Sequence, residues 1–150
     1  MNRREMFLVG GSTAAAHVLW TTLSGCGAQS TPGGTTPTPP ATGPADLIAE
    51  RTADCVLACE RCITASIAHA SHGMTDMLEC LRMARDCAAL CRATNVLAAA
   101  GSSRLAALAA LCAECCEACA AQCRTHAAHE PACAACADAC TACAEACRAA

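Results

Sequence analysis

The cysteines set the strictest limit on how this chain can fold. From residue 55 onward they recur at steps of three, four or seven: Cys55, Cys59 and Cys62; Cys80, Cys87 and Cys91; Cys112, Cys115, Cys116, Cys119 and Cys123; Cys133, Cys136, Cys140, Cys143 and Cys147. Such steps return side chains to one face of an α-helix, so each group forms a stripe. In most bundles that seam belongs to leucine. Here it is sulfur, and only Cys115, beside Cys116, doubles up. The expected fold is all-α, an antiparallel up-down-up-down four-helix bundle with a cysteine-lined core.

The punctuation between stripes agrees. After Pro44 the composition shifts to Ala, Leu, Cys, Glu and Arg, and proline is absent until Pro131. A first helix is expected over residues 45–70, ending at Ser71-His72-Gly73, where glycine suits a left-handed cap. A second is expected from Thr75 to Ala100, with Asp76 and Glu79 in its first turn. Gly101-Ser102-Ser103 breaks it, and Ser103 is a natural N-cap for a third over residues 104–127. Pro131 suits the first position of a fourth that reaches Arg148. Helices of similar length joined by short loops pack as antiparallel neighbours.

Residues 1–26 have a different character. Arg3-Arg4 followed by an apolar run from Met6 to Leu23 resembles a twin-arginine export signal. The run is too short and too rich in Gly, Ser and Thr for a stable membrane span. Leu23-Ser24-Gly25-Cys26 resembles a lipobox, in which Cys26 is acylated; that would account for the odd seventeenth cysteine, and a lipid anchor is then the only expected membrane contact. Residues 27–44, almost entirely Gly, Ser, Thr and Pro, read as a disordered linker. The folded domain is residues 45–150, and the expected location is periplasmic or cell-envelope.

With no lysine and a net charge of -3, nothing supports a nucleic acid partner. No nucleophile, base and orienting group occur together, so an enzyme is not expected. A disulfide-stapled or redox structural protein is one alternative for an exported chain, but bonds within one helix constrain little and meet disulfide geometry poorly. Metal binding uses the stripes better. Thiolate selects copper(I), zinc or iron-sulfur clusters. Iron-sulfur motifs of the compact loop type are absent. A metallothionein-like zinc or cadmium sink is the other alternative, but a four-thiolate zinc site keeps excess negative charge, which a domain with eight arginines mostly off the cysteine faces does little to offset. Copper(I) and thiolate at one to one are neutral, and one ion can sit between two sulfurs. Multiple copper(I) ions per chain are therefore expected on the sixteen stripe cysteines, and a column that long suits storage.

The two ends differ. The first and third loops share one end and bring there His69, His72, Met74, Met77, His126 and His129, with Met83 one turn inside; these are candidate copper entrance ligands. Leu47, Ile48, Val96, Leu97, Leu105 and Leu108 are expected to seal the other end.

The repeated Cys-Ala-x-x-Cys and Cys-x-x-Cys runs, most evident from Cys133 to Cys147, resemble the bacterial four-helix-bundle copper storage proteins, and the twin-arginine start resembles their exported branch. The resemblance covers residues 45–150. It implies copper(I) held largely by cysteine pairs, a mouth bearing Met and His, and a homotetramer. An unidentified client is expected to receive the copper. The chain departs from a full set of stripes at Ser66 and Ala84, where helices one and two lack a sulfur.

Overall fold

In the computed structural model, which describes residues 43–150, four helices account for nearly all of the domain: α1 Pro44–Ser71, α2 Leu78–Ala99, α3 Leu105–Arg124 and α4 Pro131–Arg148. The expected twin-arginine signal, Cys26 and almost all of the linker lie outside the described residues. Each helix packs against the next in chain order, and α4 closes against α1, completing the expected antiparallel bundle.

Local chemistry explains the boundaries. Pro44 and Pro131 open α1 and α4, where a missing N–H costs nothing. The Gly43 N–H donates to Asp46 Oδ2 at 3.0 Å, and Glu130 Oε1 accepts from the Ala132 N–H at 2.9 Å. Gly73 and Gly101 end α1 and α2 in the left-handed region, with φ of 78° and 57°. Beyond them the Met74 N–H reaches the His69 carbonyl and the Ser102 N–H reaches the Leu97 carbonyl.

Two helices are shorter than their sequence suggests. Thr75 and Asp76 form a turn, with the Leu78 N–H on the Thr75 carbonyl, and α2 starts three residues later than expected. At the end of α3, residues 125–129 tighten into i to i+3 bonds, so the helix stops at Arg124 rather than Ala127. Ser103 does not cap the third helix: its N-cap is Arg104, without a side-chain cap, and the Arg104 N–H donates to Ser102 Oγ at 3.2 Å.

Alanine lets these helices approach closely. Ala58, Ala88, Ala113, Ala120, Ala137 and Ala144 are buried between them, leaving the axis to the cysteines. The two largest wholly buried side chains, Ile48 and Met77, stand at opposite ends of the core.

Candidate metal centre

The helical phase read from the sequence places the sulfurs on one axis. Fifteen of the sixteen described cysteines are buried; Cys115 is half-buried against the core. Starting from the end that holds the α2–α3 loop, Cys91 Sγ lies 3.6 Å from both Cys112 and Cys116 and 3.8 Å from Cys143. Cys87 then lies 3.5 Å from Cys116 and 3.7 Å from Cys140. Cys55 meets Cys140 at 3.5 Å, and Cys59 meets Cys136 at 3.7 Å. At the other end Cys62 lies 3.7 Å from Cys133 and 3.9 Å from Cys123. Each of these contacts joins two different helices, and same-helix contacts of Cys55 with Cys59 at 4.0 Å and Cys136 with Cys140 at 3.9 Å link neighbouring levels.

Several groups of four sulfurs fall within 4.8 Å of one another: Cys91, Cys112, Cys116 and Cys143; Cys55, Cys59, Cys87 and Cys140; Cys59, Cys119, Cys136 and Cys140. A further group, Cys55, Cys87, Cys91 and Cys116, links the first of these to the second, and Cys59 and Cys140 link the second to the third; Cys62, Cys123 and Cys133 form a group of three at the far end. Among the described residues all sixteen cysteines are free thiols, and even the 3.5 Å contacts are far longer than the roughly 2.05 Å of a disulfide bond. Cys80 is buried, but its thiol donates to the Gln122 carbonyl at 3.7 Å. Cys147 extends the α4 stripe beyond Cys143.

Burial favours the neutral thiol. It is the main reason that Cys80 and Cys133 are held above the ordinary thiol range. Cys62 is pushed up to about 12, first through its contact with Cys123 and then through burial. The arginines do not offset charge inside. Arg82 pairs with Glu79, Arg92 with Glu60 and Arg148 with Glu117, all exposed on the surface.

The stripe gaps at Ser66 and Ala84 are real inward positions. Both are buried, and Ser66 Oγ donates to the Cys62 carbonyl at 2.9 Å.

The end bearing the first and third loops separates its candidates. Met77 is wholly buried in the core cluster, and His69 and His126 are half-buried. His69 Nε2 lies 3.2 Å from Glu130 Oε2, and His126 Nδ1 lies 3.4 Å from His129 Nε2. His72, Met74 and His129 are exposed, and Met83 packs against the flank of the core. Glu130 was not singled out from the sequence, although a carboxylate three residues before the first cysteine of α4 carries the signal.

The opposite end is sealed differently from expectation. Ile48 is buried, but Val96 is 65% exposed and Leu47 is 37% exposed, while Leu97, Leu105 and Leu108 are half-buried. The plug is instead Ile48 with Thr52, Thr94, Ala98 and Ala109, all buried. Thr52 Oγ1 donates to the Ile48 carbonyl at 2.7 Å and Thr94 Oγ1 to the Leu90 carbonyl at 2.9 Å, which leaves methyl groups to close the axis. Asn95 crosses from α2, its Nδ2 donating to the Ala49 carbonyl and to Thr52 Oγ1.

Residues 43–150 match the model of the Csp family, described as copper storage protein. Among solved structures the chain is similar to apo copper storage protein 3 from Bacillus subtilis, at 34% identity over 70% of this chain and 96% of that one, with a TM-score of 0.62. It is also similar to the Cu(I)-bound copper storage protein BsCsp3, at 33% identity over 71% of this chain and 97% of that one, with a TM-score of 0.65. A comparison with curated proteins returned no match.

Proposed function

The chain belongs to the copper storage protein family, and we propose that it stores copper(I) as a column of thiolate-bound ions along the axis of its bundle. The observation that carries this reading is that cross-helix sulfur contacts of 3.5 to 3.9 Å recur at successive levels of the axis, from Cys91 with Cys112 and Cys87 with Cys116, through Cys55 with Cys140 and Cys59 with Cys136, to Cys62 with Cys133 and Cys123. Two thiolates on either side of one ion, at a metal–sulfur length of about 2.3 Å, stand at most about 4.6 Å apart. Each contact therefore needs only a small side-chain adjustment to admit an ion.

Charge favours copper(I) over zinc. With bridging thiolates one univalent ion per thiolate is neutral, a filling that tetrahedral zinc, left with two excess negative charges per four-thiolate site, does not reach; copper(I) on two unshared thiolates carries the same excess per sulfur as zinc, so the charge argument favours the bridged filling. With two unshared thiolates per ion, sixteen cysteines hold about eight ions; with bridging thiolates they hold about sixteen. Such a capacity suits storage rather than catalysis, which needs an open coordination position.

Uptake is at the end where Met77, His69 and His126 stand outward of Cys80, Cys62 and Cys123, with the threonine and isoleucine plug closing the other. Thioether and imidazole are weaker ligands for copper(I) than thiolate and can hand ions inward. Arg3-Arg4 and the Leu23 to Cys26 run support twin-arginine export to the periplasm or cell envelope and lipid attachment at Cys26. A homotetramer follows from the family resemblance, with Leu57, Ile67 and Leu111 as exposed apolar surface for contacts. A separate client receives the copper.

The decisive experiment is an anaerobic titration of the reduced, metal-free protein with copper(I) against a competing chelator. Uptake of about eight or more ions per chain is expected, with zinc unable to displace them. Saturation at one or two ions would turn the reading to a carrier.

A further inference from the structure

Three side chains with nitrogen or oxygen donors stand just outward of the three thiols that end the column. Glu130 precedes Cys133 by three residues, and its carbonyl accepts the Cys133 N–H at 3.0 Å. His126 follows Cys123 by three, and its N–H donates to the Cys123 carbonyl at 3.1 Å. His69 follows Cys62 by seven on the same stripe. Cys62, Cys123 and Cys133 themselves form one group of mutually close sulfurs.

The outer donors form two pairs. His69 on α1 reaches Glu130 before α4, with 3.2 Å between Nε2 and Oε2, and its Nδ1 is buried without a hydrogen-bond partner. His126 Nδ1 and His129 Nε2 are 3.4 Å apart. With metal–nitrogen bonds of about 2.0–2.1 Å, adjacent nitrogens of a square-planar ion stand about 2.9 Å apart, so a side-chain shift of about 0.5 Å lets this pair share one copper(II). Imidazole and carboxylate are borderline and hard ligands that suit copper(II), whereas the sulfurs beneath suit copper(I). This end therefore stacks a donor set for one oxidation state of copper on a donor set for the other.

We propose that this mouth captures copper(II) and reduces it with the thiols beneath, so that the bundle loads itself from the oxidised ion. The proposal rests on the copper(I) storage reading above. Two copper(II) ions each accept one electron. Cys62 and Cys133, whose sulfurs lie 3.7 Å apart on α1 and α4, give up two electrons and two protons and join as a disulfide. Two copper(II) ions and two thiols thus become two copper(I) ions, one disulfide and two protons. Reduction begins at the mouth because an ion arriving there meets these sulfurs before any deeper in the column, and further disulfides then form inward.

The stoichiometry has a measurable consequence. Each ion reduced consumes one thiol and each ion held in two-coordinate form occupies two, so copper(II) alone loads about five ions where copper(I) loads about eight.

The test gives the reduced, metal-free full chain copper(II) increments in the absence of oxygen. The copper(II) electron paramagnetic resonance signal, chelator-trapped copper(I) and thiols after denaturation are followed together. The expected result is loss of the signal, one thiol lost per copper reduced, and a first disulfide that peptide mapping assigns to Cys62 and Cys133. The Cys133→Ser variant is expected to slow reduction at least tenfold. Replacing both His126 and His129 by alanine should raise the copper(II) concentration for half-maximal rate by a larger factor than it lowers the maximal rate. A persistent copper(II) signal, first disulfides scattered along the axis, or unchanged kinetics in both variants would overturn the proposal. Copper(I) added to the same preparation separates the two readings: if it still fills the column, only the reductive mouth fails, and if it does not, the storage reading beneath it fails as well.

Discussion

Cys140 touches sulfurs on three helices, lying 3.5 Å from Cys55, 3.7 Å from Cys87 and 3.9 Å from Cys136. Removing it therefore takes a ligand from more than one neighbouring site. Cys140→Ala is expected to lower copper(I) capacity by about one to two ions, and Cys119→Ala by about one. Neither should change helicity measured by circular dichroism, because alanine is the best helix former, and the lost sulfur volume costs only about 1 kcal/mol. Unchanged capacity in both variants would contradict axial storage. The converse change is Ala84→Cys: that position is wholly buried on the α2 stripe, so a thiol there is expected to add capacity in the same titration. These positions were legible from the sequence because cysteine spacing carries both the chemistry and the helical phase. The plug was not. Thr52 lies three residues before Cys55 and Thr94 three after Cys91, in phase with the stripes, while Val96 and Leu47 stand out by hydropathy but are out of phase. At the ends of this bundle phase decided burial and hydropathy misled.

At the scale of the helices, the loop glycines and the cross-helix bonds hold the column's ends in place. Gly101 has a φ of 57°, and a Cβ there would meet nothing within 4 Å, so Gly101→Ala isolates the backbone cost of a left-handed residue. That cost is about 1 kcal/mol, which for a domain of about 100 residues lowers Tm by roughly 4–8 °C. Copper capacity should stay constant, since the loop contributes no ligand. Asn95→Ala tests the plug: it removes the bonds to the Ala49 carbonyl and Thr52 Oγ1 and should cost about 1 kcal/mol in a denaturant melt of the metal-free protein. Proline and glycine made the helix boundaries readable at Pro44, Gly73, Gly101 and Pro131. The first turn of α2 and the last of α3 were not readable, because the residues there are compatible with helix and only the tighter i to i+3 bonding of Thr75 to Leu78 and of residues 125–129 excludes them.

The whole molecule combines a core of sulfur and alanine with a surface of paired charges, which makes its stability depend on the protonation of the axis. Thiols that stay neutral inside and ionise freely in the unfolded chain stabilise the fold fully below the unfolded value. That stabilisation is lost as pH rises through the folded one. For Cys62 the window runs from the ordinary thiol value of 9.0 to about 12, and Cys80 and Cys133 shift in the same direction through burial. The metal-free bundle is thus expected to melt at progressively lower temperature above about pH 9, well below the range in which arginine would lose its charge. Copper loading changes the sign of the problem. The bound sulfurs are thiolates, so each ion taken up near neutral pH releases protons, and acid rather than base displaces it. Thermal melts of the metal-free and copper(I)-loaded protein from pH 7 to 11 should therefore diverge, the gap widening above pH 9 as the metal-free form weakens. If the metal-free melting temperature instead held constant across that range, the thiols would be ionising in place at no cost, and the axis would have to be wet.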